Sequence, residues 1–177
     1  LNCTIGLGSG NTITDFGISS FVTPIYGLYQ KNILVANNTI NGGTGSTSTC
    51  YGIMIQNANN SNLDIFNNNI TLLTSGNVKG IYLTGGSLTG GFINTINIYN
   101  NTISGCINGS ASYEFGGIIH ESAAVNANIY NNTITNNYGG QLLYCIGSSA
   151  YSTNLQIYNN LINNCHAIDD NFGVSRA

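Results

Sequence analysis

Apolar residues along this chain come in short clusters with an internal period of two, and one six-residue phrase returns at nearly constant intervals. It reads Val35-Ala36-Asn37-Asn38-Thr39-Ile40, Ile65-Phe66-Asn67-Asn68-Asn69-Ile70, Ile98-Tyr99-Asn100-Asn101-Thr102-Ile103, Ile129-Tyr130-Asn131-Asn132-Thr133-Ile134 and Ile157-Tyr158-Asn159-Asn160-Leu161-Ile162. The copies start 30, 33, 31 and 28 residues apart, and a degenerate copy, Gly8-Ser9-Gly10-Asn11-Thr12-Ile13, precedes them by 27. Between copies runs a second phrase, a glycine followed by aliphatics: Gly27-Leu28, Gly52-Ile53-Met54-Ile55, Gly80-Ile81-Tyr82-Leu83, Gly117-Ile118-Ile119, Gly140-Gln141-Leu142-Leu143 and Gly173-Val174. Short alternating runs bounded by Gly, Asn and Ser are strand signals, so each period holds at least two strands separated by turns. No stretch places apolar residues at i, i+3, i+4 and i+7 over three turns, and Asn and Gly are poor helix formers, which predicts an almost helix-free chain. With no helix to act as a crossover, a period of about 30 residues leaves a solenoid in which each strand pairs in parallel with its equivalent one coil later.

The double Asn explains how the chain turns between strands. If the first and last Ile of the phrase both point inward, the chain must bend sharply between them, and Asn enters the left-handed region more readily than other non-Gly residues. Stacked at a strand spacing of about 4.8 Å, successive amides can hydrogen-bond along the axis and satisfy groups that would otherwise be buried unpaired. The second Asn of each pair, Asn38, Asn68, Asn101, Asn132 and Asn160, is expected to form this ladder. Alternation sends the preceding residue outward, so Ala36 is followed by a stripe of Phe66, Tyr99, Tyr130 and Tyr158 about 15 Å long. Two readings of the stripe are open: an aromatic ladder that stabilises stacked strands, or a surface that binds sugar rings or a neighbouring chain. Thr39, Thr102 and Thr133 also face outward, but Asn69 and Leu161 interrupt them and weaken any ice-binding reading.

These phrases, with Tyr51-Gly52-Ile53 as the partner motif, resemble the parallel β-helix repeats of the pectin-lyase-like superfamily. More narrowly, they are similar to the repetitive β-helix segments of large secreted surface proteins of Bacteroidetes-type bacteria. The resemblance covers roughly residues 8 to 175. It implies an all-β, right-handed parallel β-helix of about six coils of roughly 30 residues, with residues 1–177 as a single domain. That domain would be a segment of a longer chain or a subunit of an assembly, secreted or displayed at the cell surface. Such repeats are scaffold, so the resemblance speaks to fold more than to activity.

Composition narrows the functions. Charged residues make up 5% of the 177, against roughly 25% in an ordinary domain. With 3 basic residues and a net charge of -3, the chain lacks the basic footprint for nucleic acid or an anionic membrane surface. No run approaches the ~20 apolar residues of a spanning helix, so membrane insertion is not expected. The place of the charges is taken by 31 Asn and 23 Gly. The chain opens without a positive and then apolar leader, so a secretion signal is expected to lie outside it.

Titratable residues are too few to assemble the sites of β-helix lyases or hydrolases, which the resemblance would otherwise suggest. Lys31, Lys79 and Arg176 are far apart in the repeat, and the carboxylates are Asp15, Asp64, Glu114, Glu121, Asp169 and Asp170. Two groupings merit inspection: His166 with Asp169 and Asp170, and His120 with Glu121 and Glu114. The repeat frame puts His120 where Ile55 and Leu83 sit, so a hydrogen-bonded core histidine competes with an acid–base pair there. Cys3, Cys50, Cys106, Cys145 and Cys165 show no CxxC spacing and no metal-ligand interval, so no metal or cofactor is expected. Cys106 and Cys165 hold the same repeat position two coils apart, about 9.6 Å and beyond disulfide reach. Seven Asn-X-Ser/Thr sequons occur, at Asn2, Asn37, Asn59, Asn69, Asn100, Asn108 and Asn131; those between copies, Asn59 and Asn108, are expected to be the more accessible.

The expected function is therefore structural and non-enzymatic: a β-helical segment of an extracellular fibre, filament or adhesin. Its partner would be another copy of itself, because neither terminus carries a sequence cap and low charge opposes association weakly. Carbohydrate binding through the aromatic stripe, with surface glycans as partners, is the alternative.

Overall fold

The computed structural model describes residues 2–6, 8–14, 22–42, 49–74, 76–85, 91–108, 114–139, 142–148 and 152–166. Among them every ladder is parallel and no residue is helical. The chain winds as a β-solenoid with three sheets along its sides. The first stacks six strands, Asn2–Ile5, Lys31–Ala36, Asn62–Phe66, Ile93–Tyr99, Ala124–Tyr130 and Ser152–Tyr158. The second runs through Thr12–Thr14, Thr39–Gly42, Asn69–Thr74, Thr102–Ser104, Thr133–Thr135 and Leu161–Asn163, with Ile107–Asn108 and Tyr138–Gly139 branching from the long Asn69–Thr74 strand. Ile25–Leu28, Cys50–Gln56, Val78–Gly85, Glu114–Ser122 and Leu142–Ser148 form the third.

Register follows the repeat residue for residue. Ala36, Phe66, Tyr99, Tyr130 and Tyr158 are successive partners, as are Ile40, Ile70, Ile103, Ile134 and Ile162. The aliphatic ends of each phrase meet inside, where Val35, Ile40, Ile65, Ile70, Ile98, Ile103, Ile129 and Ile134 are fully buried. A slip of one residue would turn this whole row to solvent, which is why strict alternation specifies the stacking.

The corners share one backbone device. Asn37, Asn67, Asn100, Asn131 and Asn159 all have φ between 53° and 60°. So the first Asn of each pair makes the left-handed bend, and the second turns inward. A second corner repeats the device with Gly105, Asn136 and Asn164 ahead of Cys106, Asn137 and Cys165.

A third corner places Tyr29, Asn57 and Gly85 in register, and Tyr29 holds the same left-handed conformation at φ 54° with 70% of its surface exposed. Its side chain gains little burial to offset the steric cost of that conformation. Tyr29→Gly is therefore expected to stabilise the protein by about 1 kcal/mol and raise Tm by roughly 2–4 °C in a thermal melt. An unchanged or lower Tm would show that the tyrosine contributes packing elsewhere.

The glycine phrase has a different cause, and among the described residues it holds for three copies. A Cβ on Gly52, Gly80 or Gly117 would lie 2.6, 2.7 or 2.4 Å from the carbonyl oxygen of the next coil, with Ile70, Ile103 or Ile134 beside it. Close approach of two coils excludes a side chain there. Gly27 does not belong to this column, because register sets it opposite Ile55. In the next coil the carbonyl against Gly117 belongs to Cys145, and Gly140 lies outside the described residues. Gly173 and Val174 lie outside the described residues. Hydrogen-bond register, and not the shared glycine, decides which of these positions stack.

Candidate functional site

The second Asn of each corner builds one continuous ladder. Asn38 donates from its backbone N–H and from Nδ2 to Oδ1 of Asn68, at 3.0 and 2.9 Å. Asn68 does the same to Asn101 at 3.0 and 2.9 Å, Asn101 to Asn132 at 3.0 and 3.0 Å, and Asn132 to Asn160 at 3.0 and 3.0 Å. The remaining Nδ2 hydrogens go to backbone carbonyls, Asn101 for instance to Ile65 and Tyr99. Asn11 extends the ladder by one rung, giving N–H and Nδ2 to Asn38 Oδ1. The degenerate first copy carried that signal, since its Asn11-Thr12-Ile13 keeps the last three residues of the phrase and Gly10, at φ 75°, takes the place of the first Asn. Asn38, Asn68, Asn101 and Asn132 are buried, so these bonds satisfy groups that water cannot reach.

Beside the ladder stands the aromatic column. Ring centroids are 4.8 Å apart for Phe66 and Tyr99, 5.0 Å for Tyr99 and Tyr130, and 5.1 Å for Tyr130 and Tyr158, with interplanar angles of 10°, 4° and 2°. The rings therefore stack face on face, and Ala36 is fully buried at the end of the column next to Phe66. Desolvation within the stack raises the hydroxyl pKa of Tyr99 and of Tyr130, and the Asp64 carboxylate pushes the same way. On the same outer face Asn97 donates to Asp64 at 2.8 Å and Asn128 to Asn97 at 2.9 Å. A sugar ring stacks on an aromatic face, but interior faces of this column are already covered by neighbouring rings. What it offers to solvent is ring edges and hydroxyls.

The grouping of His120 with Glu121 and Glu114 comes apart. His120 is fully buried and in register with Leu83 and Ile55, while Glu121, the next residue, lies exposed on the opposite face. Its Nε2 lies 2.9 Å from Ser152 Oγ, and its Nδ1 is buried without a hydrogen-bond partner. The tautomer with its proton on Nε2, donating to Ser152, leaves only a lone pair stranded at Nδ1 rather than an N–H. Burial lowers its pKa to about 4, so it is a neutral core residue at physiological pH.

Glu114 and Glu121 instead belong to a cluster on the outside of the third sheet that repeat spacing did not reveal. Lys79 Nζ lies 3.0 Å from Glu114 and 4.5 Å above the Tyr82 ring, and the Tyr82 hydroxyl donates to Glu121 at 2.6 Å. Tyr51 packs on Tyr82 with centroids 5.2 Å apart. Lys79 is thus not isolated, as its sequence position suggested: parallel register brings Lys79 beside Tyr51 and Gly116. The Tyr82 hydroxyl is pushed up to about 12 by burial, with its bond to Glu121 adding to the shift. Each charged group in the cluster has a partner, Lys79 with Glu114 and Glu121 with the Tyr82 hydroxyl. Asp15, Asp169, Asp170 and Arg176 lie outside the described residues, and His166 pairs through Nε2 with Asn164 Oδ1 at 2.7 Å. Among the described residues no group of three or more His, Cys, Asp or Glu is placed to hold a metal ion.

The cysteines are free, and two of them have a chemistry that spacing did not show. Cys50 and Cys106 are buried, which pushes both thiols up to about 12. Cys106 and Cys165 do share a column, with Asn137 between them: Asn137 accepts from the Cys106 N–H at 3.0 Å and its Nδ2 approaches Cys165 Sγ at 3.6 Å. The neighbour of Cys165 is Cys145, a contact across two sheets that no repeat frame predicts. A hydrogen bond between the two thiols pushes the Cys165 pKa down and the Cys145 pKa up, with burial adding to the rise at Cys145. At pH 7 Cys165 is expected to be the first of the five to react with iodoacetamide, because its thiolate forms at a lower pH than that of an ordinary thiol. Peptide mapping after brief labelling checks this, and Cys50 or Cys106 labelled first would refute it.

The sequons also sort differently from expectation. Asn108 is fully buried, whereas Asn69, Asn100 and Asn131 are exposed. In the sequons at Asn37, Asn100 and Asn131 the acceptor is the first Asn of the pair, and only the second turns into the ladder.

Comparison with family models, curated proteins and solved structures returned no significant match. The parallel β-solenoid and its buried Asn ladder thus stand on the geometry of this chain alone.

Proposed function

We propose that this protein is a structural, non-enzymatic β-helix, a segment of an extracellular fibre, filament or adhesin that associates with copies of itself. The observation that carries the reading is at the coil formed by Ser152–Tyr158 and Leu161–Asn163. Leu155, Ile157 and Ile162 there are 40%, 39% and 49% exposed, while their partners one coil earlier, Ala127, Ile129 and Ile134, are fully buried. The backbone, amide and aromatic ladders all reach this coil in register, and among the described residues no strand pairs with its outer side, which supports a further coil stacking there. Low charge supports the same reading, since little repulsion opposes stacking. Right-handed winding and about six coils of roughly 30 residues belong to this reading, in keeping with the hand that parallel crossovers favour. Kinship with pectin-lyase-like repeats and with Bacteroidetes-type surface proteins, and with it secretion, draws on the repeat phrases. A glycan-binding role has less behind it, because the interior ring faces of Phe66, Tyr99, Tyr130 and Tyr158 are covered.

Electron microscopy and light scattering of the purified chain over a concentration series test the proposal. Elongated particles that lengthen with concentration are expected. Monodisperse monomers at the highest concentration would overturn it.

A further inference from the structure

The Asn ladder has a direction. In every rung the N–H and Nδ2 of one Asn give to Oδ1 of the Asn one coil later, from Asn11 through Asn38, Asn68, Asn101 and Asn132 to Asn160. At the Asn160 end Oδ1 is already taken, so the groups that continue the pattern outward are donors. At the Asn11 end the amide donates inward to Asn38, and Oδ1 is the acceptor on its other side. The two ends are therefore complementary to each other and not to themselves. Setting one Asn160 end against another would face donors with donors, and two Asn11 ends would face acceptors with acceptors.

Strand direction agrees. All ladders are parallel, and a two-fold contact between like ends would reverse the strands at the seam and break every side-chain column. Apolar columns match as well, because Ile13 and Ile162 are the two ends of the same inward row through Ile40, Ile70, Ile103 and Ile134. Resting on the self-association reading above, we infer that the partner at the Asn160 end is the Asn11 end of a second copy, stacked head to tail. Such a contact is heterologous, and a stack of coils does not close on itself, so growth is open-ended.

Two variants that each block one end test the polarity. Ile13→Lys and Ile162→Lys place a charge on the opposite ends of one inward row. Head-to-tail stacking predicts that each variant alone stays monomeric by analytical ultracentrifugation, while an equimolar mixture forms dimers and nothing larger. Either variant dimerising alone would overturn the inference, as would growth unaffected by both. A wild-type chain that never associates would instead remove the self-association reading and leave no seam to orient. Because a charge at an inward position can disturb folding, exposed Thr12 and Leu161, the ends of the adjacent outward row, supply a second pair. A chain carrying Thr12→Glu with Leu161→Lys should associate roughly fivefold more tightly than wild type, and one carrying Thr12→Lys with Leu161→Lys roughly fivefold more weakly. If like ends met, both chains would weaken together.

Discussion

Asn101→Ala is expected to lower the unfolding free energy by about 4 kcal/mol or more, a large share of the 5–15 kcal/mol of a typical domain. Its amide receives two donors from Asn68 and supplies hydrogens to Asn132, Ile65 and Tyr99, and the side chain is buried. Truncation strands the Asn68 N–H and one of its two Nδ2 hydrogens at one stroke, and each buried donor left unpaired costs about 1–3 kcal/mol. The loss should also be local at first, because stacked coils are stabilised mainly by their neighbours. Hydrogen exchange is therefore expected to rise in the coils on either side of Asn101 before the ends. Asn101→Asp separates volume from hydrogen bonding, since the carboxylate keeps the acceptor but faces the Ile65, Tyr99 and Asn132 oxygens with another oxygen. Its folded-state pKa is raised, so this variant should regain stability as pH falls and lose it as pH rises. Asn100→Gly is the control: Asn100 is exposed at φ 54°, a conformation glycine adopts freely, and a change within about 0.5 kcal/mol is expected. Equal effects at positions 100 and 101 in a denaturant series would mean that the ladder adds nothing beyond the turn.

Acidification from pH 7 to 4 is expected to cost the wild-type protein about 3 kcal/mol that the His120→Leu variant keeps. The His120 pKa is about 4 when folded, against 6.5 for an unperturbed imidazole. Between those values the unfolded chain binds a proton that the folded one refuses, so stability is complete above about pH 6.5 and falls as pH drops toward 4. The residues in register with His120 are Leu83 and Ser148, its hydrogen-bond partner is Ser152, and Glu121 faces the other way, so no carboxylate on its own strand rescues the imidazolium. Leu at this position continues the row of Ile55 and Leu83 and removes the unpartnered Nδ1. Urea titrations of both proteins across this range check the prediction. Parallel pH curves would show that His120 becomes solvated in the folded state.

Most of the architecture was legible because a solenoid repeats its physics. Five copies of one phrase carry five statements of the same corner, so the inward Ile rows, the ladder of Asn38, Asn68, Asn101, Asn132 and Asn160 and the outward column of Phe66, Tyr99, Tyr130 and Tyr158 follow from alternation alone. His120 could be placed inward by the same frame. Similar letters with different causes were not legible. Gly27 looks like Gly52, but only register against the next coil shows that one is not packed against a carbonyl and the other is. Asn108 spells a sequon like Asn100, yet one is buried and the other exposed.

By itself, then, the sequence determined the period, the parallel stacking and the direction each repeated side chain points, because these depend on a residue and its equivalent one coil away. Only the tertiary structure decided what meets across sheets. It joined Cys145 to Cys165 and Lys79 to Glu114, and it turned a row of Tyr that could have offered flat faces into a stack that covers them. Those contacts depend on the coil's cross-section and the exact strand register, which spacing along the chain does not encode. The polarity of the amide ladder belongs to the same class: composition supplies the Asn, and the geometry of each corner chooses which end donates.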